Sequence, residues 1–304
     1  MAHVHDHGPA RYGKAFAIGV VLNISFVIAE VLFGRLSHSL ALVADAGHNL
    51  SDVLGLLLAW GASILAQRQP TQRRTYGMRR STILAALINA VVLLIAIGAI
   101  AWEAIQRFSQ PEPVGSSIVI VVACAGIGIN GLTALLFLSG RKGDLNIRGA
   151  FLHMAADAGV SLGVVVAGVA ILVTGWVWLD PVMSLGIGAV IVMSTWGLLR
   201  DSVNLALDAV PENVDMHGVQ TYLACLPGVT EVHDLHIWGM STTETALTAH
   251  LTIPEAMYTD AFLTQTAKEL HDRYGIEHTT LQVETGDPEQ RCHNCGPMNT
   301  ARRP

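Results

Sequence analysis

The chain has 304 residues and a formal net charge of −6 at neutral pH; 51% of its residues are hydrophobic and only 14% are charged. A soluble domain carries about 25% charged residues, so this composition excludes an ordinary soluble protein and indicates membrane-embedded segments. The acidic balance, with no basic cluster in the second half of the chain, argues against nucleic acid as a partner.

The apolar residues are concentrated between residues 13 and 204. A helix needs about 20 apolar residues to cross a bilayer, and turn-forming residues divide this region into six such segments. We therefore predict a membrane α-helical bundle with six transmembrane helices, at residues 13–34, 39–66, 81–107, 115–139, 145–174 and 179–203. The predicted domains are a His-containing N-terminal tail at 1–12, a transmembrane domain at 13–207, a soluble domain at 208–286 and a C-terminal tail at 287–304.

Lysine and arginine are distributed unevenly between the loops. The loop after the second predicted helix contains five arginines and the loop after the fourth contains Arg141 and Lys142, whereas the opposite side offers Arg35 and Arg107. Because positive charge marks the cytoplasmic side, we predict that both termini and the soluble domain are cytosolic. The short loops and compact size favour the inner membrane of a bacterium. The arginine-rich loop could alternatively bind RNA or anionic lipid, although topology alone accounts for its charge.

Two predicted membrane helices carry the same H-x-x-x-D pattern, His48 with Asp52 and His153 with Asp157. Four residues correspond to about 40° of rotation and 6 Å of rise, so each His shares a helix face with its Asp. His48 lies ten residues after His38, where the second helix begins, and His153 lies nine residues into the fifth helix, which enters from the opposite side. Both pairs are therefore about 15 Å deep in a hydrocarbon core about 30 Å thick, and they can meet near its midplane.

Charged residues at this depth are costly and usually functional. Two His and two Asp provide four N and O ligands, which suit tetrahedral Zn²⁺, and the two carboxylates balance the charge of the ion. When the site holds no metal, protonation would relieve the energetic cost of two uncompensated negative charges in a poor solvent. The site can therefore exchange metal for protons. The absence of thiolates argues against Cu(I), while Cd²⁺, Co²⁺ and Fe²⁺ are compatible with the ligand set. The alternative is a set of interhelical hydrogen bonds that hold the bundle together.

Asp45 lies seven residues before Asp52, and therefore two turns away on the same face of the second helix. It could attract incoming cations or orient His48. A role in packing or capping is an equal alternative.

Four motifs resemble the zinc-transporter branch of the cation diffusion facilitator family, and the resemblance covers nearly the whole chain. They are SHSLALVADAGHNLSD in the second helix, HMAADAGVS in the fifth, DPVMSL at the sixth and VHDLHIW in the soluble domain. The resemblance implies a homodimer with six membrane helices and a cytosolic ferredoxin-like domain that binds additional metal. It also implies alternating access, with Zn²⁺ leaving the cytosol in exchange for protons. The transport-site positions it implies are His48, Asp52, His153 and Asp157.

The chain departs from the family pattern in two loops. Some members have a further metal site in the loop after the second helix, but here that loop contains arginine and no histidine, so we predict no such site. Many zinc transporters have a His-rich loop between the fourth and fifth helices, which is only SGRKGDLN here. Metal collection is therefore expected elsewhere.

The soluble domain is predicted to have the order α-β-β-α-β, with elements at 215–226, 229–239, 244–253, 258–274 and 278–285. Strand side chains alternate between faces, so His233 and His236 are expected on opposite faces unless a bulge intervenes. The family resemblance favours His233, with His250 and Glu284, as a metal-binding set. His236 is expected to be a surface or dimer-contact residue.

The C-terminal tail contains a C-x-x-C pair, Cys292 and Cys295, which could bind zinc together with further ligands. The N-terminal His3, His5 and His7 could supply those ligands, or could simply collect ions. The competing interpretation is a flexible tail with thiols that have no function.

The leading hypothesis from the sequence is a Zn²⁺/H⁺ antiporter that exports metal from the cytosol, with Zn²⁺ as substrate and also as regulatory ligand. An intramembrane zinc metalloenzyme would need an open coordination position and a general base, and here four protein ligands can fill the site. A third hypothesis is a membrane-anchored metal sensor in which the cytosolic domain is the active part.

Overall fold

A computed structural model describes residues 13–137, 145–254, 259–286 and 301–302. These residues form eight α-helices and four β-strands. The predicted N-terminal tail lies outside the described residues, as does the predicted C-terminal tail apart from residues 301–302. The described chain divides into two compact units, which combine Met1–Leu57 with Asn89–Gly197 and Leu58–Ile88 with Leu198–Pro304.

Six long helices occupy the predicted membrane segments, with ends that differ from the prediction by a few residues. They are α1 (Gly13–Leu36), α2 (Leu40–Ala66), α3 (Ser81–Ser109), α4 (Ser116–Phe137), α5 (Leu145–Thr174) and α6 (Leu179–Ala206). Within the described residues, four stretches are long and apolar enough to cross a membrane: Ser81–Ser109, Ser116–Leu135, Met154–Thr174 and Leu179–Ala206. They lie in α3, α4, α5 and α6.

The long helices distribute polarity in the opposite sense to a soluble bundle. Large apolar side chains are exposed, such as Val173 at 78% and Met193 at 79%. Acidic side chains are buried instead, including Glu30, Asp45 and Asp157. Such an apolar surface around a partly polar interior is expected where the surrounding medium is lipid, because charged groups then avoid the lipid-facing side.

The C-terminal domain has the predicted element order α-β-β-α-β. Its elements are α7 (Met216–Ala224), β1 (Glu231–Gly239), β2 (Thr245–Thr252), α8 (Asp260–Tyr274) and β3 (His278–Glu284). A further strand, β4 (Ala301–Arg302), lies in the segment predicted as a tail and was not expected from the sequence. The strands form one sheet of order β3-β2-β1-β4, in which β1 is antiparallel to both neighbours and β2 is parallel to β3.

The core of this domain is built from one face of the sheet and the two helices. Val232, Leu247 and Leu251 of the sheet are buried together with Leu223 of α7 and Leu270 of α8. Local chemistry sets the helix ends. The Asp215 side chain accepts a hydrogen bond from Gly218 N at 3.0 Å and caps α7, and Thr259 accepts one from Phe262 N at 3.2 Å and caps α8. Gly275 ends α8 in the left-handed conformation, with φ of 66°.

A β-bulge in β1 corrects the expected faces of its two histidines. His233 pairs with His250 and His236 pairs with Thr248, so β1 contains one residue more than β2 between these pairs. Asp234 has φ of 49°, which marks the bulge. Val232 and Leu235 are both in the core although they are three residues apart. The alternation is therefore shifted by one residue, and His233 and His236 share the face opposite the core.

Candidate metal centres

The structure brings His48 of α2 and Asp157 of α5 together. His48 Nε2 lies 3.1 Å from Asp157 Oδ1, and the two residues are 109 positions apart in the chain. Asp157 is 2% exposed, so its carboxylate has almost no access to solvent. A carboxylate and an imidazole nitrogen at this separation can both contact one cation after a small adjustment, since zinc ligands are about 3.4 Å apart in a tetrahedral site.

The other two predicted transport-site residues lie on the same two helices. The structure describes the backbones of Asp52 in α2 and His153 in α5, but their side chains lie outside the described part of the chain. Asp52 is four residues after His48 and His153 is four residues before Asp157, so each is about one helical turn from the His48–Asp157 contact.

A row of buried polar contacts links α1, α2 and α5 beside this pair. Asp45 is 1% exposed and its Oδ2 accepts a hydrogen bond from Ser161 Oγ of α5 at 3.3 Å. Glu30 of α1 is 0% exposed, and its Oε2 accepts a hydrogen bond from Asn49 Nδ2 of α2 at 2.9 Å. Asp45 therefore joins α2 to α5 one turn before His48, where it can either stabilise the helix contact or influence the site electrostatically.

The start of α2 is capped from another helix, by a residue whose role sequence reasoning missed. Asp180 of α6 accepts hydrogen bonds from Leu40 N at 2.7 Å and Ala41 N at 3.3 Å, and also from the Ser39 hydroxyl. Ser39 Oγ itself accepts from Leu42 N at 3.2 Å. The first backbone N–H groups of a helix have no partner within the helix, so Ser39 and Asp180 together satisfy them. The SHSLAL and DPVMSL motifs thus meet at one helix end.

Arg107 of α3 completes this cap. Its Nη1 lies 3.7 Å from Asp180 Oδ2, and the same nitrogen donates to the backbone carbonyl of His38. Arg107 Nη2 also contacts Glu103 at 3.0 Å. The buried Asp180 carboxylate therefore has a cation and three hydrogen-bond donors around it, which offsets the cost of removing it from water.

In the C-terminal domain, His233, His250 and Glu284 form one cluster on neighbouring strands. His250 Nδ1 lies 2.9 Å from Glu284 Oε1, and His233 Nε2 lies 3.3 Å from Glu284 Oε2. One ligand atom from each residue lies within 4.8 Å of the other two. β1 and β2 place the two histidines directly opposite each other, and the parallel strand β3 brings Glu284 to their edge.

The donor atoms of this cluster fit a metal ion. His233 Nδ1 is buried and makes no hydrogen bond with any described residue. The close approach of His250 Nδ1 to Glu284 lacks the alignment of a hydrogen bond. Two imidazoles and a carboxylate are a usual ligand set for Zn²⁺, which would take a fourth ligand in addition.

Asp234 is a further residue of this region that sequence reasoning missed. Its Oδ2 lies 3.6 Å from His250 Nε2, and its Oδ1 lies 3.1 Å from His236 Nε2. Asp234 occupies the bulge, so its side chain reaches the outer face between the two histidines. The spacing of residues in VHDLHIW does not signal this irregularity.

The remaining predicted ligands belong to the two tails. Cys292, Cys295, His3, His5 and His7 all lie outside the described residues.

Comparison with known proteins places the two parts of the chain in related families. Residues 16–205 match the family model described as the cation efflux transmembrane domain. Residues 211–286 match the family model described as the cation efflux protein cytoplasmic domain.

Full-length relatives are found in several bacteria. The chain is 37% identical over 302 residues to the zinc transporter ZitB of Escherichia coli, which covers 96% of this chain and 94% of the relative. It is 36% identical over 289 residues to the metal cation efflux system protein CzcD of Cupriavidus metallidurans, covering 95% and 91%. It is also 34% identical over 290 residues to the cadmium, cobalt and zinc/H(+)-K(+) antiporter of Bacillus subtilis, covering 94% and 92%.

Proposed function

Because this chain belongs to the cation efflux family and is therefore a membrane transporter rather than an enzyme, we propose that it exports divalent metal cations from the cytosol in exchange for protons. Zn²⁺ is the first substrate in this proposal, and Cd²⁺ and Co²⁺ are further candidates, since the relatives are named for these three metals. Membership in this transporter family rules out the alternative hypothesis of an intramembrane zinc metalloenzyme.

The observation that carries this proposal is the contact between His48 and Asp157. An imidazole and a carboxylate 3.1 Å apart, on two apolar helices, form a polar pair in a region where polar groups are costly. Asp52 and His153, one turn away on the same helices, complete the proposed ligand set of two His and two Asp. Four N and O ligands suit Zn²⁺, and two carboxylates neutralise its charge.

Metal and protons compete for this site. A ligating imidazole must be deprotonated and a ligating carboxylate must be ionised, so metal binding releases protons and protonation releases metal. A site that opens to the cytosol would load metal at low proton concentration. The same site opened to an acidic exterior would release metal and take up protons, and this alternating access couples the two flows.

The proposed architecture has six transmembrane helices, α1 to α6, within residues 13–207. The arginines at the α2–α3 loop favour a cytoplasmic position for this loop and for both termini, and bacterial relatives favour the inner membrane. Residues 208–286 form the cytosolic domain, which we propose to be ferredoxin-like on the basis of its α-β-β-α-β order. Residues 1–12 and 287–304 are the two tails.

We assign a second metal-binding role to His233, His250 and Glu284, where Zn²⁺ would act as a regulatory ligand rather than as cargo. Asp234 is close enough to His250 to orient it or to provide a further oxygen. The protein acts as a homodimer in this proposal, a state supported by the match to a cytoplasmic domain of the dimerising type. Cys292 and Cys295, with His3, His5 and His7, remain candidates for a tail site.

The test of the transport site is zinc uptake by inverted membrane vesicles that contain the protein. Asp157→Ala removes one ligand and leaves His48 without its carboxylate contact, so we expect uptake to fall at least about 10-fold, since one strong ligand is worth more than about 1.4 kcal/mol. Asp272→Ala, at an exposed carboxylate of α8, is the matched control and should transport like the original chain. Undiminished uptake by Asp157→Ala at equal protein level would reject the site.

A further inference from the structure

The arginine-rich loop between α2 and α3 forms one wall of a cavity of about 1080 Å³. Its lining includes Arg73, Arg74, Arg79 and Arg80 of this loop together with His236 and Trp238 of β1. All of these residues belong to one compact unit of the chain. We call this space the arginine cavity.

Two of the four arginines are already neutralised. Arg79 Nη1 lies 3.0 Å from Glu244 Oε2, and Arg80 forms an ion pair with Asp208. Arg73 and Arg74 form no ion pair with any carboxylate that the structure describes. Among the described residues, the cavity lining therefore has two guanidinium groups without an ion-pair partner, each of which presents several N–H donors in a fixed plane.

The loop is held in place by its own hydrogen bonds and by the cytosolic domain. Thr71 and Arg74 exchange two backbone hydrogen bonds of 3.0 Å each, and Gly77, at φ of 74°, closes the next turn. Thr82 Oγ1 accepts a hydrogen bond from Thr242 N at 3.1 Å, and the Tyr76 ring packs edge-on against His278 at 5.6 Å. The arginines are thus presented by a constrained segment, which reduces the entropy that a ligand must overcome.

We propose that the arginine cavity binds the phosphate headgroup of an anionic phospholipid of the cytoplasmic leaflet. Planar guanidinium groups match the oxygens of a phosphodiester. The loop spans only residues 67–80 between the ends of α2 and α3, so on the proposed membrane placement its arginines lie at headgroup level. The indole of Trp238 gives the cavity an apolar surface suited to the glycerol part of the headgroup.

Binding is measured on the purified full-length protein in detergent without added metal, so a failure of zinc transport does not affect the result. Short-chain phosphatidylglycerol, phosphatidylcholine and inorganic phosphate are titrated separately, and bound molecules are counted by native mass spectrometry. Phosphatidylglycerol should bind at least about 10-fold more tightly than phosphatidylcholine, since two basic residues distinguish the anionic headgroup.

The double variant Arg73→Gln with Arg74→Gln should lower phosphatidylglycerol affinity about 30-fold, because each arginine near an anionic headgroup contributes about 5-fold. The matched control, Arg68→Gln with Arg200→Gln, removes the same charge outside the cavity lining and should bind like the original chain. The double variant Arg73→Lys with Arg74→Lys should bind phosphatidylglycerol more tightly than the glutamine variant and less tightly than the original chain.

Three results would overturn the lipid assignment. The first is equal binding of the two lipids, and the second is an unchanged affinity in the variant that lacks Arg73 and Arg74. The third is tighter binding of inorganic phosphate, or of a short RNA added as a fourth ligand, than of phosphatidylglycerol.

Discussion

Among the described residues, each acidic side chain buried in the long helices has a polar contact on a neighbouring helix. Asp157 contacts His48, Asp45 accepts from Ser161, and Glu30 accepts from Asn49. These contacts lower the cost of holding ionisable groups in a poor solvent, so several acidic residues can be present around the proposed transport site. The polar contacts proposed for metal transport and those that hold helices together are thus neighbours in one row.

Two single substitutions test which histidine belongs to the cluster of His233, His250 and Glu284. His250→Ala removes an imidazole that contacts both Glu284 and Asp234. We therefore expect the zinc affinity of this site to fall at least about 10-fold, the usual effect of losing a metal ligand or its orienting partner. His236→Ala removes a histidine of the same sheet face that does not belong to the cluster, and should leave affinity within about 2-fold, since its contact with Asp234 is exposed and worth little.

The measurement is a zinc titration of the full-length protein with Asp157→Ala present in every sample, which weakens zinc binding at the proposed transport site equally in all of them. Equal zinc affinity with and without His250→Ala would show that the cluster does not bind zinc. A large loss of zinc affinity in His236→Ala would instead indicate that the zinc site lies on the His236 side of Asp234.

For individual residues, the sequence predicted contacts between helices better than it predicted the strand face on which a side chain lies. The spacing of four within His48–Asp52 and within His153–Asp157 predicted that the two patterns could meet, because helical periodicity is regular, and His48 and Asp157 do lie 3.1 Å apart. Strict alternation wrongly separated His233 from His236 because a bulge depends on one backbone conformation, that of Asp234, which no spacing rule encodes. Asp234 itself was missed for the same reason.

At the scale of elements, the end of one helix is built by residues of two others. The N-terminus of α2 depends on Asp180 of α6, which Arg107 of α3 holds in place. His48 lies two turns further along α2, so the cap helps to fix the position of this proposed ligand. The sequence predicted that α2 begins near Leu40, but the cap joins residues 140 positions apart and could not be read from local signals.

Removing the cap should destabilise the membrane domain and weaken transport. Asp180→Ala leaves the Leu40 and Ala41 N–H groups of α2 without their carboxylate acceptor and removes one ion-pair contact of Arg107, so we expect a loss of about 1–2 kcal/mol in stability. Ser39→Ala should act in the same direction, and the double variant should lose less than the sum because the two side chains contact each other.

Apparent melting temperatures of the three variants in detergent, measured by retention of the monodisperse peak after heating, test this coupling. The matched control is Ser194→Ala, which removes a hydroxyl that donates to Ile191 O of the same helix. Additive losses from Asp180→Ala and Ser39→Ala would contradict the shared cap.

At the scale of the whole molecule, the long apolar helices and the small sheet domain divide the proposed work. The membrane part holds the proposed cargo site, while the sheet domain holds a separate cluster of two histidines and a carboxylate. Composition alone predicted this division, since hydrophobic runs end near residue 204 and alternating strand patterns follow. The contacts of the arginine-rich loop with Glu244 and Asp208 were not predictable, because loop conformation depends on the domain that the loop meets.

Coupling to protons belongs to the whole molecule, because it needs a cargo site that reaches both sides of the membrane in turn. Zn²⁺ should move toward the acidic side, since protonation there releases the metal from His and Asp ligands. In proteoliposomes with an acidic lumen, protons that leave through the transporter should therefore drive Zn²⁺ inward.

Zinc accumulation in such proteoliposomes, followed with a trapped fluorescent indicator, tests the central claim most directly. We predict that accumulation increases with the imposed pH gradient, collapses when an ionophore dissipates the gradient, and is lost in Asp157→Ala but kept in Asp272→Ala. Zinc flux that is the same with and without the gradient would make the protein a uniporter and contradict proton-coupled export.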